Sequence, residues 1–197
     1  MSIQLNFKAI GHGHPLFILH GVFGSSDNWL TVSKLFTDRN QVFLIDQRNH
    51  GRSPQAEEFS YTVLVEDLKD FALQQGINKF RLIGHSMGGK VAMKFASLYP
   101  EMLEKMVVVD IAPRYYEPHH EEVLAAFHSV DLERMTSRNQ ADEAMSKHLP
   151  ELDTRQFLLK NLYRDENGKF AWRINLPVLA KGIEQIGEGL DLEVKID

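Results

Sequence analysis

Hydrophobic and polar positions along the chain follow two alternating rhythms. "IQLNF" (3–7) alternates apolar and polar residues, as a half-exposed strand does. "PLFILHG", "QVFLID", "KFRLIG" (79–84) and "KMVVVDI" (105–111) are instead short continuous apolar runs that close on or near Gly or Asp. Runs of that kind predict strands buried on both faces, as in a parallel sheet. Between them the apolar residues recur at helical spacing. "SSDNWLTVSKLF" offers Ser and Asp as N-caps ahead of Trp29, Leu30, Val32, Leu35 and Phe36. "SYTVLVEDLKDFALQQG" opens on Ser60 and closes on Gly76, and "MGGKVAMKFASLYP" stops at Pro100. Strand alternating with helix predicts an α/β fold with a mostly parallel sheet and flanking helices.

The rhythm changes after Ile111. Residues 114–189 are helical in character, through "HEEVLAAFHSV", "NQADEAMSKHL" and "TRQFLLKNLY". "RDENGKFAWRI" carries a turn signal and predicts a short hairpin or loop. The expected organisation is an α/β core over 1–113, a helical cap over 114–189, and a return toward the core over 190–197, where "LEVKID" reads as the approach to another strand.

Composition narrows the function classes. The 197 residues are 43% hydrophobic and 25% charged, an ordinary globular balance. A net charge of −5 and the absence of a dense basic patch argue against nucleic acid as a partner. The chain has no cysteine, which removes disulfides, thiolate metal sites and a cysteine nucleophile. No signal-peptide pattern and no apolar run of membrane-spanning length is present, so a cytoplasmic protein without a membrane span is expected.

The candidate chemistry centres on "GHSMGG" (84–89), a Gly-x-Ser-x-Gly pattern after a strand and before a helix. That context makes Ser86 a candidate nucleophile on a sharp strand-to-helix turn. The helix that follows presents free N–H groups to an oxyanion forming at the serine. "HGVFGSSDNW" (20–29), after an earlier strand, supplies a second backbone donor, expected at Val22 and pairing with Met87. His20 reads as a residue that orders this loop, and "DQRNHGRS" (46–53) as a solvated polar loop. Asp110 ends a strand at its carboxyl edge, where sites gather in parallel sheets. A carboxylate there can orient an imidazole; the bland alternative is a turn aspartate before Pro113.

Together, "HGVFGSSDNW", "DQRNHGRS", "GHSMGG" and "VVVDIAP" resemble the α/β-hydrolase superfamily and, more narrowly, the YbfF-like bacterial esterases. The resemblance implies a serine hydrolase of small-molecule carboxylic esters or thioesters, with a helical cap, a Ser–acid–His triad, no metal and no organic cofactor. It assigns Ser86 as nucleophile, Val22 and Met87 as oxyanion donors and Asp110 as acid. It places the triad histidine in a Gly-His turn after two further strands. None of the nine histidines (12, 14, 20, 50, 85, 119, 120, 128 and 148) fits that position. The expectation is therefore that the 197 residues lack about two strands, a helix and the base. An acyltransferase or a cofactor-free haloperoxidase on the same scaffold, or an inactive binding module, are the alternatives. A serine at position 86 argues against the dehalogenases and epoxide hydrolases, which use a carboxylate nucleophile.

Overall fold

The structure, a computed structural model, describes residues 3–117 and 120–191. Five strands form one sheet: β1 (Phe7–Gly11), β2 (His14–Leu19), β3 (Asn40–Ile45), β4 (Phe80–His85) and β5 (Leu103–Val109). Their spatial order is β1-β3-β2-β4-β5. β1 runs antiparallel to β3; the other pairs are parallel. The predicted mostly parallel sheet is therefore observed. The alternating run 3–7 lies just ahead of β1, with strand geometry beginning only at Phe7.

Alternate side chains divide between the two faces, as the pleat requires. Phe17, Leu19, Phe43, Ile45, Phe80 and Leu82 face one cluster; Leu16, Ile18, Val42, Leu44 and Ile83 face the other. The first face carries α2 (Tyr61–Gln74) and α3 (Met87–Leu98). Its centre is aromatic: Phe17 stacks on Phe80 at 4.2 Å and meets Phe71 edge-on at 5.3 Å. The Ser60 side chain caps α2 by accepting the Val63 N–H at 3.2 Å, as its sequence position predicts. The second face is covered by Trp29, Leu30 and Phe36 from residues 26–36. That stretch is not the single helix expected. It is two 3₁₀ turns around the four-residue α1 (Leu30–Ser33).

β5 departs from the expected buried strand. Val107 is 52% exposed, because β5 is the sheet edge and no further strand pairs with it among the described residues. Beyond it come α4 (Glu121–His128), α5 (Arg138–Ser146), α6 (Leu152–Leu159), the hairpin β6 (Leu162–Arg164) and β7 (Phe170–Trp172), α7 (Leu176–Lys181) and α8 (Ile183–Gly187). Buried residues of this segment, among them Phe127, Met145, Leu159, Leu179 and Ile186, join the cluster on the α2/α3 face of the sheet. Its two ends meet: Tyr116 N–H donates to the Gly187 carbonyl at 2.8 Å and Leu190 N–H to that of Pro113 at 2.7 Å. "LEVKID" (192–197) lies outside the described residues. Among the described residues no helix is long and apolar enough to cross a membrane.

Candidate active site

Register brings the candidate residues to one edge of the sheet. Leu19 pairs with Gly84 and His85 with Val109, so the loops after β2, β4 and β5 leave side by side. Ser86 adopts φ 50° and ψ −117° as the N-cap of α3. Its N–H is drawn to the Val109 carbonyl at 3.0 Å, and its own carbonyl accepts the Gly89 and Lys90 N–H groups at 2.8 and 3.1 Å. The turn is tight because its glycines allow it. A Cβ on Gly84 would lie 2.2 Å from the Gly88 carbonyl oxygen, and one on Gly88 2.7 Å from that of His20. Alanine at either position forces the strand and helix apart.

Ser86 stands between two cavities. The larger, about 520 Å³, is mainly apolar and is lined by Trp29, Val32, Phe157 and His85 among others. The smaller, about 90 Å³, is lined by Met87, Tyr61, Ile186 and Gly187 among others. Val22 and Ser86 border both. Met87 is the first residue of α3, so its N–H has no acceptor within the helix.

The loop carrying Val22 is held by two buried histidines. His20 Nδ1 meets the Gly21 carbonyl at 2.8 Å, while its Nε2 accepts the Gln47 N–H at 3.0 Å. His50 Nδ1 meets the Arg48 carbonyl at 2.9 Å, while its Nε2 accepts the Phe23 N–H at 3.3 Å. Both rings therefore carry their proton on Nδ1 and are neutral. Burial pushes the His20 pKa below its usual value, and burial, aided by His20 nearby, pushes that of His50 down to about 3. His20 orders its loop, as expected from sequence.

The 46–53 loop is not solvated. Asp46, Gln47, Arg48, Asn49 and His50 are all buried. Asp46 accepts the Ser26 N–H at 2.7 Å and the Arg52 N–H at 3.0 Å, knitting this loop to residues 24–28. Arg48 forms a buried two-point ion pair with Asp67 of α2, at 2.5 and 2.8 Å. A loop of polar residues is buried here because most of its polar atoms find partners in the loop, in nearby backbone and in Asp67, while Gln47 Oε1 and Asn49 Nδ2 are left without one.

Asp110 follows β5 directly, at φ 57°, with its side chain 87% exposed. Its carboxylate lies 3.9 Å from His85 Nε2. The structure thus gathers Ser86, Met87, Val22 and Asp110 at one edge. It also brings His120 to the small cavity. His119 lies outside the described residues. Two residues the sequence reading passed over are buried beside the site. Asn161 donates to the Phe23 carbonyl at 2.8 Å, and Lys90 lies one turn along α3 from Ser86. Lys90 could have been noticed as a charge set in the apolar run of "GGKVAM". Asn161 carries no local signal. Among the described residues no group of three or more His, Cys, Asp or Glu is placed to hold a metal.

The profile of the alpha/beta hydrolase fold family matches residues 14–161. The chain belongs to that family. It is 40% identical over 188 residues to the sn-1-specific diacylglycerol lipase ABHD11 of Danio rerio, covering 91% of this chain and 59% of the lipase. It is 38% identical over 183 residues to the esterase YbfF of Escherichia coli, covering 91% of this chain and 70% of that one. A solved structure of a marine microorganism esterase superposes with a TM-score of 0.93 at 40% identity, over all of this chain and 77% of the other. The chain spans about three-fifths of the length of the fish lipase. The α/β-hydrolase fold and the YbfF resemblance expected from the four motifs are both shown.

Proposed function

We propose that this α/β hydrolase is a serine esterase of small-molecule carboxylic esters or thioesters, with Ser86 as nucleophile. The observation that carries the reading is the backbone of Ser86. A non-glycine residue held at φ 50° between β4 and α3 occupies a sparsely populated conformation, and such strain clusters at functional sites. The arrangement sets the serine at the N-terminus of α3, where it borders both cavities.

In the proposed reaction Ser86 Oγ attacks the ester carbonyl and its proton passes to an imidazole. The tetrahedral oxyanion is stabilised by the N–H groups of Val22 and Met87, the leaving alcohol or thiol takes the proton, and water then hydrolyses the acyl-enzyme. Asp110 orients the imidazole. The base is proposed to be none of the nine histidines of this sequence; His20, for one, has both ring nitrogens engaged with backbone. The helical segment 114–189 is read as a cap on a core of residues 1–113, with the chain returning to the core from 190. No metal or cofactor takes part in this scheme, and a cytoplasmic setting is part of the same proposal. The names of the esterase and lipase relatives support the ester as substrate class.

The test is Ser86→Ala in the full chain, assayed on p-nitrophenyl butyrate and with a fluorophosphonate probe. Hydrolysis and labelling are both expected to vanish while the far-ultraviolet spectrum is kept. A variant that keeps more than a few per cent of the activity overturns the assignment. Product analysis with a competing alcohol separates hydrolysis from acyl transfer.

A further inference from the structure

Lys90 is 1% exposed, on the helix that begins at the candidate nucleophile. Its ammonium donates to three successive carbonyls, those of Ile186 at 3.3 Å, Gly187 at 3.1 Å and Glu188. Tyr61 and Tyr116 present their ring faces to it at 5.7 and 5.3 Å. A buried ammonium carries a desolvation penalty of several kcal/mol unless it is well paired. Here it bonds backbone carbonyls. Space-filling alone gives no reason for a lysine at this position, since a methionine of similar length fills the same room but strands those carbonyls.

The geometry supplies one. The three carbonyls close α8, a helix end whose carbonyls have no partner within the helix. The same short run forms a wall of the small cavity beside Ser86, through Ile186 and Gly187. Tyr61 Oη also donates to the Ile186 carbonyl, at 2.8 Å. Lys90 thus ties the wall of this cavity to the helix that carries the nucleophile, so the distance between them is fixed.

On the esterase reading the two cavities would take the two halves of the ester. Asp110 lies beside His85, which lines the large cavity. An imidazole that Asp110 orients, and that protonates the leaving group, works on that side. The acyl group then occupies the opposite, small cavity. Its 90 Å³ equals the volume of about three waters, enough for an acyl chain of about three or four carbons.

We propose that Lys90 is a positioning residue that limits the acyl group to a short chain, by holding the carbonyls of residues 186–188 as the end wall of the small cavity. The inference rests on the esterase reading above.

The experiment compares the wild-type full chain with Lys90→Met on p-nitrophenyl butyrate and octanoate, together with hydrogen exchange of the backbone amides. The wild type is expected to favour butyrate by roughly tenfold or more in kcat/KM, the range that added methylenes command in a fitted pocket. Lys90→Met is expected to lower that preference by about fivefold, mainly through a lower KM for octanoate. Amides of residues 183–190 should exchange faster while those of β4 do not change. Tyr61→Phe removes a single bond to the same run and should shift both readouts in the same direction by less; it stands in if Lys90→Met does not fold. A variant that lowers Tm but leaves the butyrate-to-octanoate ratio and the exchange of 183–190 unchanged overturns the proposal, as does a wild type indifferent to chain length. Ser86→Ala separates the two levels. If it retains hydrolysis, the esterase reading falls; the exchange result still judges the hold of Lys90 on residues 186–188.

Discussion

Protonating His50 should dismantle the loop that carries Val22. The ring is fully buried, donates from Nδ1 to the Arg48 carbonyl and accepts the Phe23 N–H on Nε2. An added proton would set two donors, Nε2–H and the Phe23 N–H, against each other. The folded state therefore keeps His50 neutral down to a pKa of about 3, against 6.5 for the free side chain. The direction of the linkage follows. Above pH 6.5 the ring is neutral in both states and the stability is fully present. Between 6.5 and about 3 the unfolded chain binds a proton that the folded chain refuses, so stability falls as pH falls. Each pH unit within that window is worth about 1.4 kcal/mol. From pH 7.5 to 5, where most carboxylates have yet to titrate, His50 alone should remove about 2 kcal/mol, and His20 adds in the same direction. The assay is urea unfolding of wild type and His50→Gln at half-unit steps across that range. The variant should be less stable at pH 7.5 yet lose about 2 kcal/mol less on going to pH 5. Parallel profiles, or a wild type whose stability is level from pH 7.5 to 5, would refute the reasoning.

Two further outcomes are expected. Asp110→Asn should lower kcat by orders of magnitude, on the order of the 10⁴-fold seen when a triad carboxylate becomes an amide in a serine protease; a loss below about tenfold would move the acid elsewhere. Asn161→Ala leaves the buried Phe23 carbonyl without this donor and should destabilise the protein by about 1–3 kcal/mol while lowering kcat more than it raises KM. A stability loss with kcat unchanged would show that this asparagine has no hold on the loop that carries Val22.

How much of this was legible in the sequence depended on how local the cause was. Ser86, Gly84 and Gly88 lie within five residues of one another, and the reason for each is within that turn, so the motif was readable. The three buried runs that became β2, β3 and β4 were readable for the same reason, since alternate residues serve opposite faces within a single strand. β5 was read as buried because Val107, Val108 and Val109 are as apolar as any central strand. Its exposure reflects its place at the edge of the sheet formed by the described residues, which no window of the chain can express. The polar loop at 46–53 was read as solvated because its burial depends on partners such as Asp67, and Arg48 reaches that residue across 19 positions. Lys90 and Asn161 find their partners 97 and 138 positions away. Their roles exist only once the helical segment has packed on the sheet.

Among the described residues, four non-glycine residues adopt positive φ: Phe23, Asn49, Ser86 and Asp110. They follow β2, β3, β4 and β5 in turn, one at the carboxyl end of each parallel strand. Each such residue costs on the order of 1 kcal/mol or more, so the sheet carries a rim of unfavourable backbone along one side and none along the other. The rim is held only by the packing above it. On warming, this side should loosen as a unit before the strands separate, and catalytic competence should be lost at a lower temperature than secondary structure. The same rim would make the protein easy to stabilise in a way that harms it. Glycine at any of these four positions relaxes the backbone, and releases the geometry for which it was bent.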